Sequence, residues 1–469
     1  MYHISRKEKE SMRRTNDLGR DPVGKLVLRL AIPTMLAQLV NVLYSIVDRM
    51  YIGNIPDIGG LALAGVGVCG PIVTLLSSFA SLVGLGGSPI MAMRMGEGRK
   101  EEARRILNNC FLMLLVLSLV LTVSFLLAKD HLLMWFGASE ITFPYANTYM
   151  TIYTAGTFFA LMANGMNNFL ICQGFSGLGM ATVMLGAVLN IILDPIFIFG
   201  LKMDVAGAAL ATVISQMASC AFVLGALLRK RMPVRLGWGG FDGAIMRRVL
   251  VFGLSPFLII ATDSVLLIIL NTVLQRYGGP GLGDTLVTCA TIVQSYLLLI
   301  TMPMGGMTLG TQPVVSFNFG AGAPERIKKA IQTIVILCLI FCGVMMVVTY
   351  TVSPLFVRLF TSDGEIAARS VRYIKMFTCM IIPLAVQYPL VDETTALGRV
   401  RRALFCSLFR KSVFLAGLLL LPYFFGAEAT FFSEPIADLV AATVTTILFV
   451  RGFPQVLLEC THGGERRVV

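Results

Sequence analysis

Apolar residues in this chain come in long blocks, without the alternation of a half-buried strand or the three-to-four spacing of a surface helix. An α-helix needs about twenty residues to cross roughly 30 Å of hydrocarbon. Windows of that length fall near residues 26–52, 61–92, 107–128, 148–171, 179–200 and 205–227. A second set lies near 249–275, 285–316, 331–354, 373–396, 403–425 and 436–457. The blocks predict an all-α integral membrane protein of twelve transmembrane helices.

The segments between the blocks test that count, because Lys and Arg gather in cytoplasmic loops. Arg13, Arg14, Arg20, Lys25 and Arg29 precede the first block, and Arg94, Arg99, Lys100, Arg104 and Arg105 follow the second. Arg229, Lys230, Arg231 and Arg235 follow the sixth, and Arg326, Lys328 and Lys329 the eighth. Arg399, Arg401, Arg402, Arg410 and Lys411 surround the turn between the tenth and eleventh. The intervening loops are acidic or nearly uncharged, as at Asp57, Asp204 with Lys202, and Glu428 with Glu434. The loop with Arg358, Asp363, Arg369 and Arg372 is mixed in sign. Both termini are expected in the cytoplasm.

The two sets repeat. At a shift of 224 residues Gly86, Pro89, Gly96, Gly98, Tyr149 and Gly174 meet Gly310, Pro313, Gly320, Gly322, Tyr373 and Gly398; Pro33 meets Pro256 at 223. Six crossings per repeat return each half to the same side, so the halves are related by an axis along the membrane normal. The expected architecture is two pseudo-symmetric six-helix lobes around a central cavity. A tail at 1–25 would lead into a lobe at 26–228, a polar interfacial linker at 229–248, a lobe at 249–457 and a tail at 458–469. Pro33 and Pro256 are candidate bending points.

Composition changes the picture only by exclusion. With 56% apolar and 14% charged residues and a mean hydropathy of +0.80, the chain belongs to the lipid bilayer. Its formal charge of +12 is accounted for by the basic loops, so nucleic acid is not an expected partner. The ten cysteines lie almost all in apolar stretches and have neither disulfide nor zinc spacing. Tyr2–Arg20 is charged and lacks the apolar core of a cleaved signal peptide.

The candidate chemistry lies in acids retained inside the blocks, among them Asp48, Asp194, Asp263, Asp392 and Glu393. A carboxylate at the centre of a spanning helix costs about 2.5–3.5 kcal/mol on insertion scales, which makes each a functional candidate. Asn190 precedes Asp194 by four residues and shares its helix face, while Pro195 withholds a backbone donor. Asp48 and Thr212 fall at a similar depth in neighbouring blocks, giving an all-oxygen set suited to a hard cation or a proton. At the repeat shift Asp48 meets Asn271 and Asp194 meets Leu418, so this site is expected in the first half only. Asp392 meets Asn168; it, Asp263 and Glu393 could hold a cationic substrate, carry a second proton or serve only helix contacts. Gln38, Asn41, Tyr44, Tyr149 and Asn167 are further polar groups that could face a cavity.

Gly65, Gly67 and Gly70 spell G-x-G-x-x-G, yet no strand precedes them, and close helix packing explains them better. No P-loop, H-E-x-x-H or G-x-S-x-G motif is present, and His3, His131 and His462 fall outside the blocks. An enzyme is not expected. An uncoupled channel and a flippase for lipid-linked sugars are the alternative functions. The flippase would need more basic residues within the blocks, where Arg49 is the main candidate.

Val-Asp48-Arg-Met-Tyr-Ile-Gly, Asn190-Ile-Ile-Leu-Asp194-Pro195 and Gly207-Ala-Ala-Leu-Ala-Thr212-Val-Ile-Ser resemble the multidrug and toxic compound extrusion (MATE) family, from about Pro22 to Pro454. The resemblance implies a bacterial inner-membrane secondary antiporter that exports organic, often cationic, compounds in exchange for Na⁺ or H⁺ by alternating access. It implies that Asp48, Asn190, Asp194 and Thr212 form the cation-coupling site, the Na⁺ ligands if sodium is used, with Tyr149 and Asn167 as neighbours. No cofactor beyond the transported ion is expected, and the bilayer-embedded chain is expected to be a monomer. Asp263, Asp392 and Glu393 depart from the pattern of members that place their key carboxylates in the second half.

Overall fold

The computed structural model describes residues 16–136, 138–279, 282–361 and 363–461. The terminal stretches with Arg13, Arg14, His3 and His462 lie outside the described residues. Fourteen α-helices follow in order: α1 Val23–Gly53, α2 Gly59–Gly96, α3 Lys100–Trp135, α4 Phe143–Ala155, α5 Thr157–Ile171, α6 Ser176–Pro195 and α7 Asp204–Leu227. The second half gives α8 Gly243–Gly278, α9 Leu282–Gly320, α10 Pro324–Arg358, α11 Gly364–Phe377, α12 Ile381–Ala396, α13 Val400–Phe425 and α14 Ser433–Thr461.

Ten of these segments are long and apolar enough to cross a membrane alone, and α11 with α12, bent by 53°, makes an eleventh. The twelfth is split too: α4 and α5 have 13 and 15 residues, each short of a crossing, and meet at Gly156. A Cβ there would lie 2.5 Å from the Val213 side chain, so glycine lets α7 pack into the break. The fourth and tenth crossings are therefore both broken, as their places in the repeat require. Several helices overrun the predicted windows. Helix α3 starts at Lys100, where Glu101, Glu102, Arg104 and Arg105 favour helix in water but fail an apolar window.

The described end of the predicted tail, residues 16–22, and the linker are held by side-chain hydrogen bonds. Asn16 Nδ2 donates to Gly174 O (2.9 Å) in the first half, while Asn318 Nδ2 (3.0 Å) and Arg326 Nη2 (3.1 Å) donate to Leu18 O from the second. The stretch before α1 thus bridges the halves. The irregular linker ends at Asp242, whose side chain caps α8 by accepting from Ala244 N at 2.8 Å. Asn109 Oδ1 accepts from Asp242 N and its Nδ2 donates to Gly240 O; Asn108 makes the matching pair with Gly237 N and Gly239 O. The linker is fastened to α3 by side chains that satisfy its buried backbone.

Helix α1 packs on α9 and α2 on α8, so each half lays two helices on the other. Glycine permits the contact. A Cβ on Gly253 would meet Leu82 O at 1.7 Å, and one on Gly310 would meet Leu30 O at 2.5 Å. Gly306 faces Thr34 O in the same way, and Phe79 of α2 meets Phe257 of α8 with ring centroids 5.0 Å apart. These approaches all use the half of each helix nearest the basic loops. Beyond them Asn41 and Tyr44–Asp48 of α1, and Pro256–Thr262 of α8, are half-buried.

Candidate functional site

Four helices of the first half each bring a polar pair spaced four residues apart, and so on one face: Tyr44 and Asp48 on α1, Tyr149 and Tyr153 on α4, Asn190 and Asp194 on α6, Thr212 and Gln216 on α7. Asn190 Nδ2 donates to Asp194 Oδ1 at 3.2 Å and to Thr212 Oγ1 at 3.4 Å. The Thr212 hydroxyl donates to Ala208 O at 3.0 Å, which leaves its lone pairs for the site. Asp48 lies within hydrogen-bonding reach of Asp194. Tyr149 lies beside Thr212, and Tyr153, stacked on Tyr149 at 6.1 Å, lies beside Gln216 and Ser77 of α2.

Asp194 is fully buried, and Asn190 nearly so. Pro195 has no amide to close the turn onto Ile191, and a π-turn at Ile196–Gly200 follows before α7 begins. Asp48 Oδ1, Asn190 Oδ1 and Asp194 Oδ2 are buried with no donor in reach. Two adjacent carboxylates and an orphaned amide oxygen form a set of acceptors that a proton or a small hard cation would satisfy. Among the described residues no three His, Cys, Asp or Glu side chains form a metal cluster.

The structure separates the other predicted residues. Asn167 faces Gly179, eleven residues and about 16 Å down α6 from Asn190, so it does not join the set. Asn41 Nδ2 donates to Gln38 Oε1 at 3.2 Å, lower on α1. Gln216, Tyr153 and Ser77 were not singled out from sequence. The signal for the first two was the four-residue spacing from Thr212 and Tyr149.

In the second half, Arg410 and Lys411 are not at a loop. They lie ten and eleven residues into α13, about 15 Å along it, because acids on neighbouring helices pair with them. Lys411 Nζ donates to Asp263 Oδ1 of α8 and to Ile259 O. Arg410 donates to Asp438 Oδ1 of α14 at 2.9 Å and to Glu434. Glu434, expected in a far-side loop, starts α14 beside the middle of α13, since Gly417 packs on Ser433. The cluster uses crossings seven, eleven and twelve, the counterparts of the crossings one, five and six that carry Asp48, Asp194 and Thr212. Asp392 accepts from Thr308 Oγ1 at 2.5 Å, and both Glu393 carboxylate oxygens are buried without a donor.

The MatE family model matches residues 33–196 and again residues 259–415, one match in each half. The chain belongs to the MatE family. It is therefore a multi-pass membrane transporter of MATE type and not an enzyme. The multidrug export protein MepA of Staphylococcus haemolyticus is 24% identical over 422 residues, covering 90% of this chain and 92% of that one. A multidrug resistance MATE family transporter of the MOP superfamily, solved in an outward-facing conformation, has the same fold: TM-score 0.87 at 24% identity, over 94% of this chain and 99% of that one. A MOP superfamily transporter from Pyrococcus furiosus, described as having a binding pocket of reverse polarity, gives a TM-score of 0.88 at 24% identity, over 94% of this chain and 99% of that one.

Proposed function

We propose that this MATE transporter exports organic cations from the cytoplasm of a bacterium, across the inner membrane, in exchange for Na⁺ or H⁺. The observation that carries the reading is the meeting of Asp48 with Asp194, where buried acceptor oxygens lack donors. Two such carboxylates repel unless a proton or cation sits between them. A bound ion can therefore favour one arrangement of α1, α6 and α7 over another, and only such differential affinity drives a conformational change. The basic loops support a cytoplasmic location for both termini. Close packing at that end, with half-buried residues of α1 and α8 beyond it, supports a cleft between the lobes that opens outward, one half of an alternating-access cycle. The repeat supplies both lobes within one chain, consistent with a functional monomer.

The test is accumulation of a fluorescent cationic dye in pump-deficient bacteria expressing this chain or D194N, with Na⁺ and pH varied independently. Lower accumulation that follows one gradient and is lost in D194N at equal expression is the expected result, and it names the ion. Equal accumulation in expressing and empty cells overturns drug export and favours a lipid or metabolite cargo.

A further inference from the structure

The acid–base cluster of the second half plays no part in ion coupling as described above, and its geometry is uneven. Asp263 keeps 63% of its side chain exposed, whereas Lys411, its partner, keeps 6%. Helix α8 carries Asp263 six residues beyond Phe257, the ring that meets Phe79 where the two lobes part. The carboxylate thus lies about 9 Å further along α8 than that contact, toward the far end. Tyr388 of α12 lies near it. A half-open carboxylate inside a membrane-spanning segment is a receptor for an organic ammonium or phosphonium ion. In this structure the protein's own ammonium fills that role.

We propose that Lys411 is a tethered competitor for cargo: its ammonium holds Asp263 between transport events, and an organic monocation entering the cleft binds by taking that carboxylate from it. The inference rests on the cation-export reading and names its substrate contact. Displacement does not strand Lys411 as an unpaired buried charge, which would be prohibitive. The ammonium keeps Ile259 O as acceptor and lies near Glu434. The cluster holds three carboxylates, Asp263, Glu434 and Asp438, against two cations, Arg410 and Lys411, and Asp438 Oδ2 has no donor. One acid can therefore be given up to cargo. The arrangement also sets selectivity. A cargo must outbid a primary ammonium already in place, so apolar or aromatic bulk that adds contact in the cleft is favoured over small hydrated ions.

Competition of this kind has a signature that a purely structural ion pair lacks, because removing the lysine strengthens binding. We would measure binding of tetraphenylphosphonium to the purified full chain by calorimetry, for wild type, K411M, D263N and K411M/D263N, with K411Q as the polar alternative if K411M does not fold. The expected result is affinity at least tenfold higher in K411M or K411Q, equivalent to about 1.4 kcal/mol, and lost in both variants carrying D263N. Equal or weaker binding in folded Lys411 variants, with wild type still binding, overturns the competitor role and leaves cation export standing. Absence of binding by every form overturns both readings.

Discussion

Gly96 and Gly320 hold the same place in the two halves of the chain, and each lies against the backbone of the other half. A Cβ on Gly96 would be 1.9 Å from Phe317 O, and one on Gly320 would be 2.0 Å from Met93 O. No real side chain survives such distances, so the ends of α2 and α9 close on each other only because both residues are glycine. Two further repeat pairs support the same symmetry: Gly98 and Gly322 have φ of 77° and 68°, Gly174 and Gly398 of 87° and 79°, all left-handed turns that glycine enters without strain.

Gly320→Ala should therefore hold the basic end apart. Spin labels replacing the exposed Glu101 and Glu325, in a background free of native cysteines, should report a longer distance by double electron–electron resonance, and export should fall by about tenfold or more. Gly60→Ala, where a Cβ meets nothing within 4 Å, should leave both unchanged.

Thr212→Val keeps the shape of the side chain but removes the oxygen that accepts from Asn190. The amide left short of a partner costs about 1–3 kcal/mol. Affinity for the coupling ion, read from the ion dependence of dye transport, should fall roughly tenfold or more. Thr212→Ser should retain it within about threefold.

Asn109→Ala removes two hydrogen bonds that fasten the linker to α3. With each buried hydrogen bond worth about 1 kcal/mol and its partner left unsatisfied, thermal unfolding in detergent should show a loss of about 2–3 kcal/mol. The ion dependence of transport in the surviving protein should not change, since the linker lies far from Asp194.

Arg410→Met should destabilise the second half by about 3–5 kcal/mol, the usual result of stranding a buried partner. Asp438 is fully buried and would keep a charge with no cation. The double variant R410M/D438N should recover much of that loss in the same unfolding measurement. A double variant no better than R410M would mean that packing, not charge, is what Arg410 supplies.

Much of the candidate ion site was legible along the chain because its parts are local. Asn190 and Asp194 share a face by spacing alone, and Asp48 and Thr212 matched them by depth. Asn167 was expected as a neighbour of that set, yet it turns toward Gly179, because which face of α5 meets α6 is settled by packing. Arg410 and Lys411 misled for the opposite reason. A pair of basic residues near a helix start reads as a loop marker, and only the arrival of Asp263, 148 residues away, and Asp438, 28 residues on, makes their burial affordable.

By itself the sequence determined the crossings and the two-fold repeat and pointed to Asp48 and Asp194 as candidate acids, since apolar length, loop charge and repeated glycines are properties of consecutive residues. Which helices touch, which end of the bundle closes and which acids receive an internal cation were decided only in three dimensions. The physical reason is that a buried charge or a glycine contact takes its meaning from a partner, and here the partners come from distant helices and from opposite halves of the chain.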